Sequence, residues 1–225
     1  MLRCRTPLYK LMMKYTHVIW DFNGTVLDDV AIGIRAINTM LTQRGLVPIA
    51  DVEQYRAVFD FPVKEYYRSL GLDVENEDFD TVLAPEWVRL YRERDAAAPL
   101  YPAVASMTAT LRATGLSQSI LSATERNMLH AQLEARGATG WFDEIWGNDS
   151  IHAYGKEGLA AAWRAAHPSA RAVLIGDTTH DHAVARVIGA DCILVAAGHH
   201  SAERLGACGV PVVDALTDCL PFLLN

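Results

Sequence analysis

The stretch VIWDFNGTVLDD, Val18 to Asp29, decides how this chain is read. With His17 before it, the apolar run at its start has the length and composition of a short buried strand. That strand delivers a carboxylate, Asp21, at its end, and Gly24 permits a tight turn directly afterwards. Asn23, between them, places an amide two residues beyond the acid.

Three further runs resemble the first: QSILSA from Gln118 to Ala123, AVLIG from Ala172 to Gly176, and DCILVA from Asp191 to Ala196. Helical stretches lie between them. TERNMLHAQLEARG carries Thr124 as an N-cap and Gly137 as a C-cap, and an Ala-rich helix from Lys156 to His167 stops before Pro168. Strands alternating with helices predict an α/β, Rossmann-like, doubly wound parallel sheet, with its site at the carboxyl ends of the strands. From Val30 to Asp95 the alternation lapses. Ile32, Ala36, Ile37, Met40 and Leu41 keep helical spacing, and VKEYYRSLGL and EWVRLYRERD continue it. The expected organisation is a core of residues 15–28 plus 99–225, an inserted α-helical cap over 29–98 reached through Pro99 and Pro102, and an extension over 1–14.

The 225 residues suit one domain with an insertion, and about half are apolar (51%). A net charge of −7 without basic blocks argues against nucleic acid and for a small-molecule partner. Cys4, Cys192, Cys208 and Cys219 form no CxxC pair and read as reduced thiols, which with no apolar run of membrane-spanning length predicts a cytoplasmic protein. The N-terminal MLRCRTPLYKLMMKY is basic and lacks the apolar core of a signal peptide; a targeting segment, or a start at Met12 or Met13, are its two alternatives. Monomer and homodimer both remain open.

Polar residues fall at strand ends in an ordered series. Asp21 follows the first strand, Ser122 ends the second, Lys156 opens a helix, and GDTTHD supplies Asp177 and Asp181 after the third. Converging buried carboxylates repel one another unless a cation compensates, and oxygen ligands favour Mg²⁺. Metal and lysine together would let an anionic nucleophile approach a phosphoryl group, whose other oxygens Ser122 and backbone amides after Asp21 could hold. Asp21 and Asp177 also suit plain turns, Ser122 a helix cap, and Asp181 a first-turn acid. A lysine at a helix start opposes the helix dipole, which favours a site role for Lys156.

The four elements DFNGTV, ILSAT, GKEG and GDTTHD resemble, in order and spacing, the motifs of the haloacid dehalogenase superfamily of phosphatases, and most nearly its phosphoglycolate phosphatase-like group. The resemblance runs over nearly the whole chain after residue 16. It implies that Asp21 attacks phosphorus and becomes an aspartyl phosphate. It implies Mg²⁺ held by Asp21, the Asn23 carbonyl, Asp177 and Asp181, with Ser122 on a phosphoryl oxygen and Lys156 orienting Asp21. Gly24, Thr25, Ala123 and Lys64 would contact the substrate, a small phosphorylated metabolite, with Lys64 meeting its distal anionic group.

Asn23 departs from that pattern, which has an acid there to protonate the leaving oxygen and activate water. An amide cannot shuttle a proton, and such help is worth about 10²–10⁴ in rate, so slow turnover is expected, with Asn23→Asp accelerating it. His180, His182, His199, His200 and Asp28 are possible substitutes by sequence proximity, His180 foremost. Two alternatives follow: a phosphonate C–P hydrolase with Lys64 as Schiff base, and a phospho-ligand-binding module with little turnover. A zinc site among the four histidines is a weaker reading than a solvated loop. Tyr66, Tyr67, Trp87 and Tyr91 read as cap core.

Overall fold

The computed structural model describes residues 13–95, 98–151 and 155–224; the N-terminal segment up to Met12, and with it the targeting and start-site alternatives, lies outside the described residues. Six strands form one sheet: β1 (His17–Trp20), β2 (Ser117–Glu125), β3 (Glu144–Asn148), β4 (Ala172–Gly176), β5 (Asp191–Val195) and β6 (Val212–Val213). Their spatial order is β3-β2-β1-β4-β5-β6, and every pairing is parallel. The order reverses at β1, so the crevice at the carboxyl ends opens beside Asp21.

Side-chain alternation along the strands divides the core. Val18, Trp20, Val173, Ile175, Ile193 and Val195 pack on one face, while Ile19, Leu174, Cys192 and Leu194 pack on the other. Among the described residues five α-helices lie between β1 and β2, the first four being α1 (Val30–Gln43), α2 (Val52–Val58), α3 (Val63–Ser69) and α4 (Ala84–Asp95). α5 (Val104–Ala113) and α6 (Arg126–Ala135) cover the first face, whose apolar cluster continues into α1 and α4 through Ile37, Met40 and Tyr91. α7 (Glu157–Ala166) and α8 (Thr179–Ile188) cover the second face through Ala160, Trp163, Val184 and Ile188. α9 (Ala202–Gly206) and α10 (Leu220–Leu224) complete the chain.

The chain leaves and re-enters the core along one path. Leu27 bridges Leu100, the Asp28 amide donates to the Pro99 carbonyl at 2.9 Å, and the Tyr101 amide donates to Val26 at 3.0 Å. Arg136 fixes the returning segment by donating to the carbonyls of Ala98 and Asp95. At the other end of the sheet Arg171 donates to the carbonyls of Met13 and Lys14, so the last two residues of the expected extension are tied to the core.

Two local readings change. α6 begins at Arg126, because β2 continues through Thr124 to Glu125, whose carboxylate accepts from the amides of Asn127 and Met128 and is the true cap. Gly137 has φ +64° just past the Arg136 cap, as a helix stop requires. β3 and β6 carry weak sequence signals: β3 contains Gly147 among partly buried residues and β6 is two residues long.

Trp163 is fully buried between α7 and the sheet, stacks on His167 with ring centroids 4.4 Å apart, and donates from Nε1 to Ser119. Trp163→Ala is expected to cost about 3–5 kcal/mol, read as a lowered urea midpoint with an unchanged slope.

Candidate active site

Strand ends bring the four motifs together. Asp21 follows β1, and its amide donates to Ile175 on β4, which fixes the turn. Lys156, the N-cap residue of α7, is only 3% exposed. Its Nζ donates to Asp21 Oδ1 and to Asp181 Oδ1, each at 2.5 Å. Asp181 is placed by a capping box at the start of α8, where its Oδ2 accepts from the Thr178 hydroxyl and amide. Asp177 accepts from the Thr25 hydroxyl at 2.8 Å and the His199 amide at 2.7 Å.

Carboxylate oxygens of Asp21, Asp177 and Asp181 lie within 4.8 Å of one another, all buried. Burial raises Asp21 well above the usual carboxylate range, and Asp181 beside it adds to the shift despite Lys156. Burial likewise raises Asp177. Burial would push Asp181 up too, but the Lys156 ammonium and the Thr178 hydroxyl outweigh it and hold Asp181 low. Three acids against one lysine leave the group short of positive charge, and the donor set is all hard oxygen. These residues fit a divalent cation.

Glycine is required where the loops press on Asp177. A Cβ on Gly24, which has φ +76°, would meet Asp177 Oδ2 at 2.3 Å, and one on Gly198 would meet it at 2.1 Å. Gly24 therefore shapes the floor: its amide donates to Asp29 Oδ1 and to the Leu27 carbonyl, and the Thr25 amide donates to Phe22. Both amides are spent inside the turn, and the Thr25 hydroxyl is spent on Asp177. Gly24 and Thr25, expected as substrate contacts, stand outside the cavity lining and make positioning contacts within the fold.

Ser122 and Ala123 line the cavity over Asp21, as do Lys156 and Asn23. The Ser122 Oγ accepts from the Thr124 amide rather than capping a helix. Lys64 does not line it. α3 turns Val63, Tyr66 and Tyr67 to the cavity, and Lys64, one residue on from Val63, projects from another side of the helix where Glu65 and Asp78 feel its charge.

Asn23 sits in a network that sequence reading misses. Its Nδ2 donates to Asp29 Oδ2 at 2.7 Å and to Tyr91 at 3.3 Å, while Oδ1 accepts from the Thr124 hydroxyl at 2.7 Å. Asp29 also accepts from the Tyr91 hydroxyl at 2.7 Å, and His199 Nε2 stands 3.5 Å from Asp29 Oδ1. Burial opposes the charge on Asp29, yet His199, Tyr91 and Asn23 together hold its carboxyl below the usual range. Burial would lower His199, but Asp29 raises it to about 9. The Tyr55 hydroxyl bonds the other ring nitrogen of His199 at 2.8 Å. The single available clue to Asp29 was its place at the N-cap of α1, where it makes no side-chain cap.

Among the other candidates, Asp28 is exposed and His182 is half-buried. His180 stacks on Phe61 and lies 3.6 Å from Glu157, outside the cavity lining, and His200 receives the Thr179 amide. Among the described residues, no cluster of the four histidines forms a metal-binding group.

The parallel sheet thus carries a lysine and three buried acids at its switch point. The chain belongs to the haloacid dehalogenase-like hydrolase family, whose pattern matches residues 18–195. It is similar to "Probable phosphatase IndB" of Dickeya dadantii, 29% identical over 203 residues and covering 87% of each chain. It is also similar to phosphoglycolate phosphatase of Synechococcus elongatus, 25% identical with 90% of this chain and 94% of the relative covered. In fold it resembles a haloacid dehalogenase-like hydrolase from Streptococcus pneumoniae, with TM-score 0.75, 20% identity, and 93% and 98% of the two chains covered.

The network gives the Asn23→Asp exchange a cost. It replaces the donor facing Asp29 with a second carboxylate, so a charge-assisted hydrogen bond worth about 2 kcal/mol is lost and repulsion is added. The repulsion raises the carboxyl pKa values of the folded pair, so the penalty is full at pH 8 and shrinks as pH falls toward about 4. Urea midpoints at pH 8 and pH 5 should show this, and adding Asp29→Asn should restore much of the loss.

Proposed function

We propose that this protein is a Mg²⁺-dependent phosphatase acting on a small phosphate monoester through an aspartyl phosphate on Asp21, with α1–α4 as its cap. The observation that carries the reading is the convergence of Asp21, Lys156, Asp177 and Asp181 beneath a cavity that Ser122 and Ala123 also line. Relatives named phosphatases agree with it.

In this reading Asp21 Oδ forms a bond to phosphorus as the bond from phosphorus to the leaving oxygen breaks, and the leaving alkoxide takes its proton from solvent water and departs as the alcohol. Water then attacks phosphorus, restoring the Asp21 carboxylate and releasing inorganic phosphate. Lys156 holds Asp21 in line and offsets the charge that nucleophile and phosphoryl group share. Ser122 donates to a phosphoryl oxygen. Mg²⁺ would be held by Asp21, Asp177, Asp181 and the Asn23 carbonyl, and when bound it supplies charge neutralisation. Asn23 offers no titratable proton, and its Nδ2 is already engaged by Asp29 and Tyr91, so turnover is slow for this chemistry. The Schiff-base reading finds no support, since Lys64 stands outside the cavity lining.

Release of phosphate from p-nitrophenyl phosphate is expected to require Mg²⁺, to fall to background in Asp21→Ala, and to drop about 10²-fold or more in Lys156→Ala. A fully active Asp21→Ala protein overturns the reading, and so does a parent that binds phosphate esters in calorimetry without consuming them. Independently of turnover, Mg²⁺ at about a hundred times its dissociation constant should stabilise the parent by about 2.7 kcal/mol in urea titrations, and Asp177→Ala should lose that gain.

A further inference from the structure

The cavity above Asp21 is polar only at its inner end. Away from Asp21, Lys156 and the Asn23 network, its walls are rings and aliphatic groups: Phe59, Phe61, Tyr66, Tyr67, Phe79 and Trp87 come from α2, α3 and α4 or the segments joining them. Among the described lining residues the positively charged side chains are Lys156 and His199, and neither is available to a distant anion. Lys156 is held by Asp21 and Asp181, and His199 by Asp29 and Tyr55. The remaining charged liner, Glu125, is an anion tied to the start of α6. A carboxylate or second phosphate on the leaving group would meet rings and a like charge there, without a partner to offset its desolvation.

Among the described residues, one fully buried polar atom of the lining side chains is unengaged. Tyr66 is 3% exposed, lines the cavity, and among the described residues its hydroxyl has no hydrogen-bond partner. A buried hydroxyl left unpaired costs about 1–3 kcal/mol, so a ligand atom that bonds it recovers that cost. The whole space, its polar inner end included, measures about 150 Å³, which limits the leaving group to a compact one.

From the ring-lined wall, the absence of a free cation among the described lining residues and the unpartnered Tyr66 hydroxyl, we infer that the substrate is a phosphate monoester of a compact, uncharged, ring-bearing alcohol with one hydrogen-bonding substituent, and that Tyr66 is the residue reading that substituent. This rests on the phosphatase reading for where the phosphoryl group sits, and it excludes leaving groups of the carboxylate-bearing kind that phosphoglycolate has.

Calorimetry with non-hydrolysable phosphonates, in Mg²⁺ and with intact protein, separates the pocket from the chemistry. Benzylphosphonate is expected to bind at least tenfold more tightly than 3-phosphonopropionate, which carries a carboxylate in place of the ring. Ring hydroxylation, as in 3-hydroxybenzylphosphonate, should tighten binding a further three- to tenfold, and Tyr66→Phe should erase that increment while leaving benzylphosphonate affinity within twofold. Equal or tighter binding of 3-phosphonopropionate overturns the inference, as does a hydroxyl increment that survives in Tyr66→Phe. For turnover, kcat/KM for benzyl phosphate should exceed that for phosphoglycolate by at least tenfold, a comparison in which both leaving oxygens are alkyl. Preference for phosphoglycolate overturns the substrate class but leaves the phosphatase reading standing; loss of that reading would show instead as no hydrolysis of p-nitrophenyl phosphate.

Discussion

Three buried carboxylates facing one buried lysine is the constraint on which the rest of the molecule depends. Such a group is unfavourable in isolation, because burial and mutual repulsion both oppose ionisation of Asp21 and Asp177. The fold supports it by spending structure on its periphery. The Thr178 capping box, the Thr25 hydroxyl and the His199 amide each donate to one of these acids, and two glycines let the backbone come close enough to do so. The parallel sheet supplies the remaining condition, since only strand ends converging at a switch point can bring four distant segments to the same place.

The amide at position 23 belongs to a second arrangement beside the first. Asp29, Tyr91, Thr124 and His199 form a hydrogen-bonded set around Asn23 in which the amide both donates and accepts. A carboxylate is still present in that corner, but it resides on Asp29 at the start of α1, where His199 balances its charge. Asn23 is thus integrated into its surroundings rather than a lone vacancy in a pattern.

Much of this was legible in the sequence, and the physical reasons are uneven. Buried parallel strands are continuous apolar runs, so β1, β2, β4 and β5 stood out, and the order of polar residues at their ends indicated which groups would meet. β3 and β6 did not, because an edge strand with Gly147 and a two-residue strand have no distinctive composition. Asp29 was missed, and His199 was named by sequence proximity alone, for another reason. Their roles arise from contacts 62 residues away, at Tyr91, and 144 residues away, at Tyr55, and no local spacing records such a meeting. Lys64 shows the converse error, a residue of suitable chemistry whose helix directs its neighbours Val63, Tyr66 and Tyr67 inward instead.

Tyr91 is shared between two jobs. Its ring stacks on Trp87 with centroids 4.8 Å apart in the cavity wall, while its hydroxyl reaches Asp29. Recognition and electrostatics are therefore mechanically joined through one side chain of α4. Anyone reshaping this wall to admit a different molecule can vary Phe59 or Phe79 as steric elements, but an exchange at Tyr91 redistributes charge around the reacting corner as well, so selectivity and rate cannot be engineered separately there.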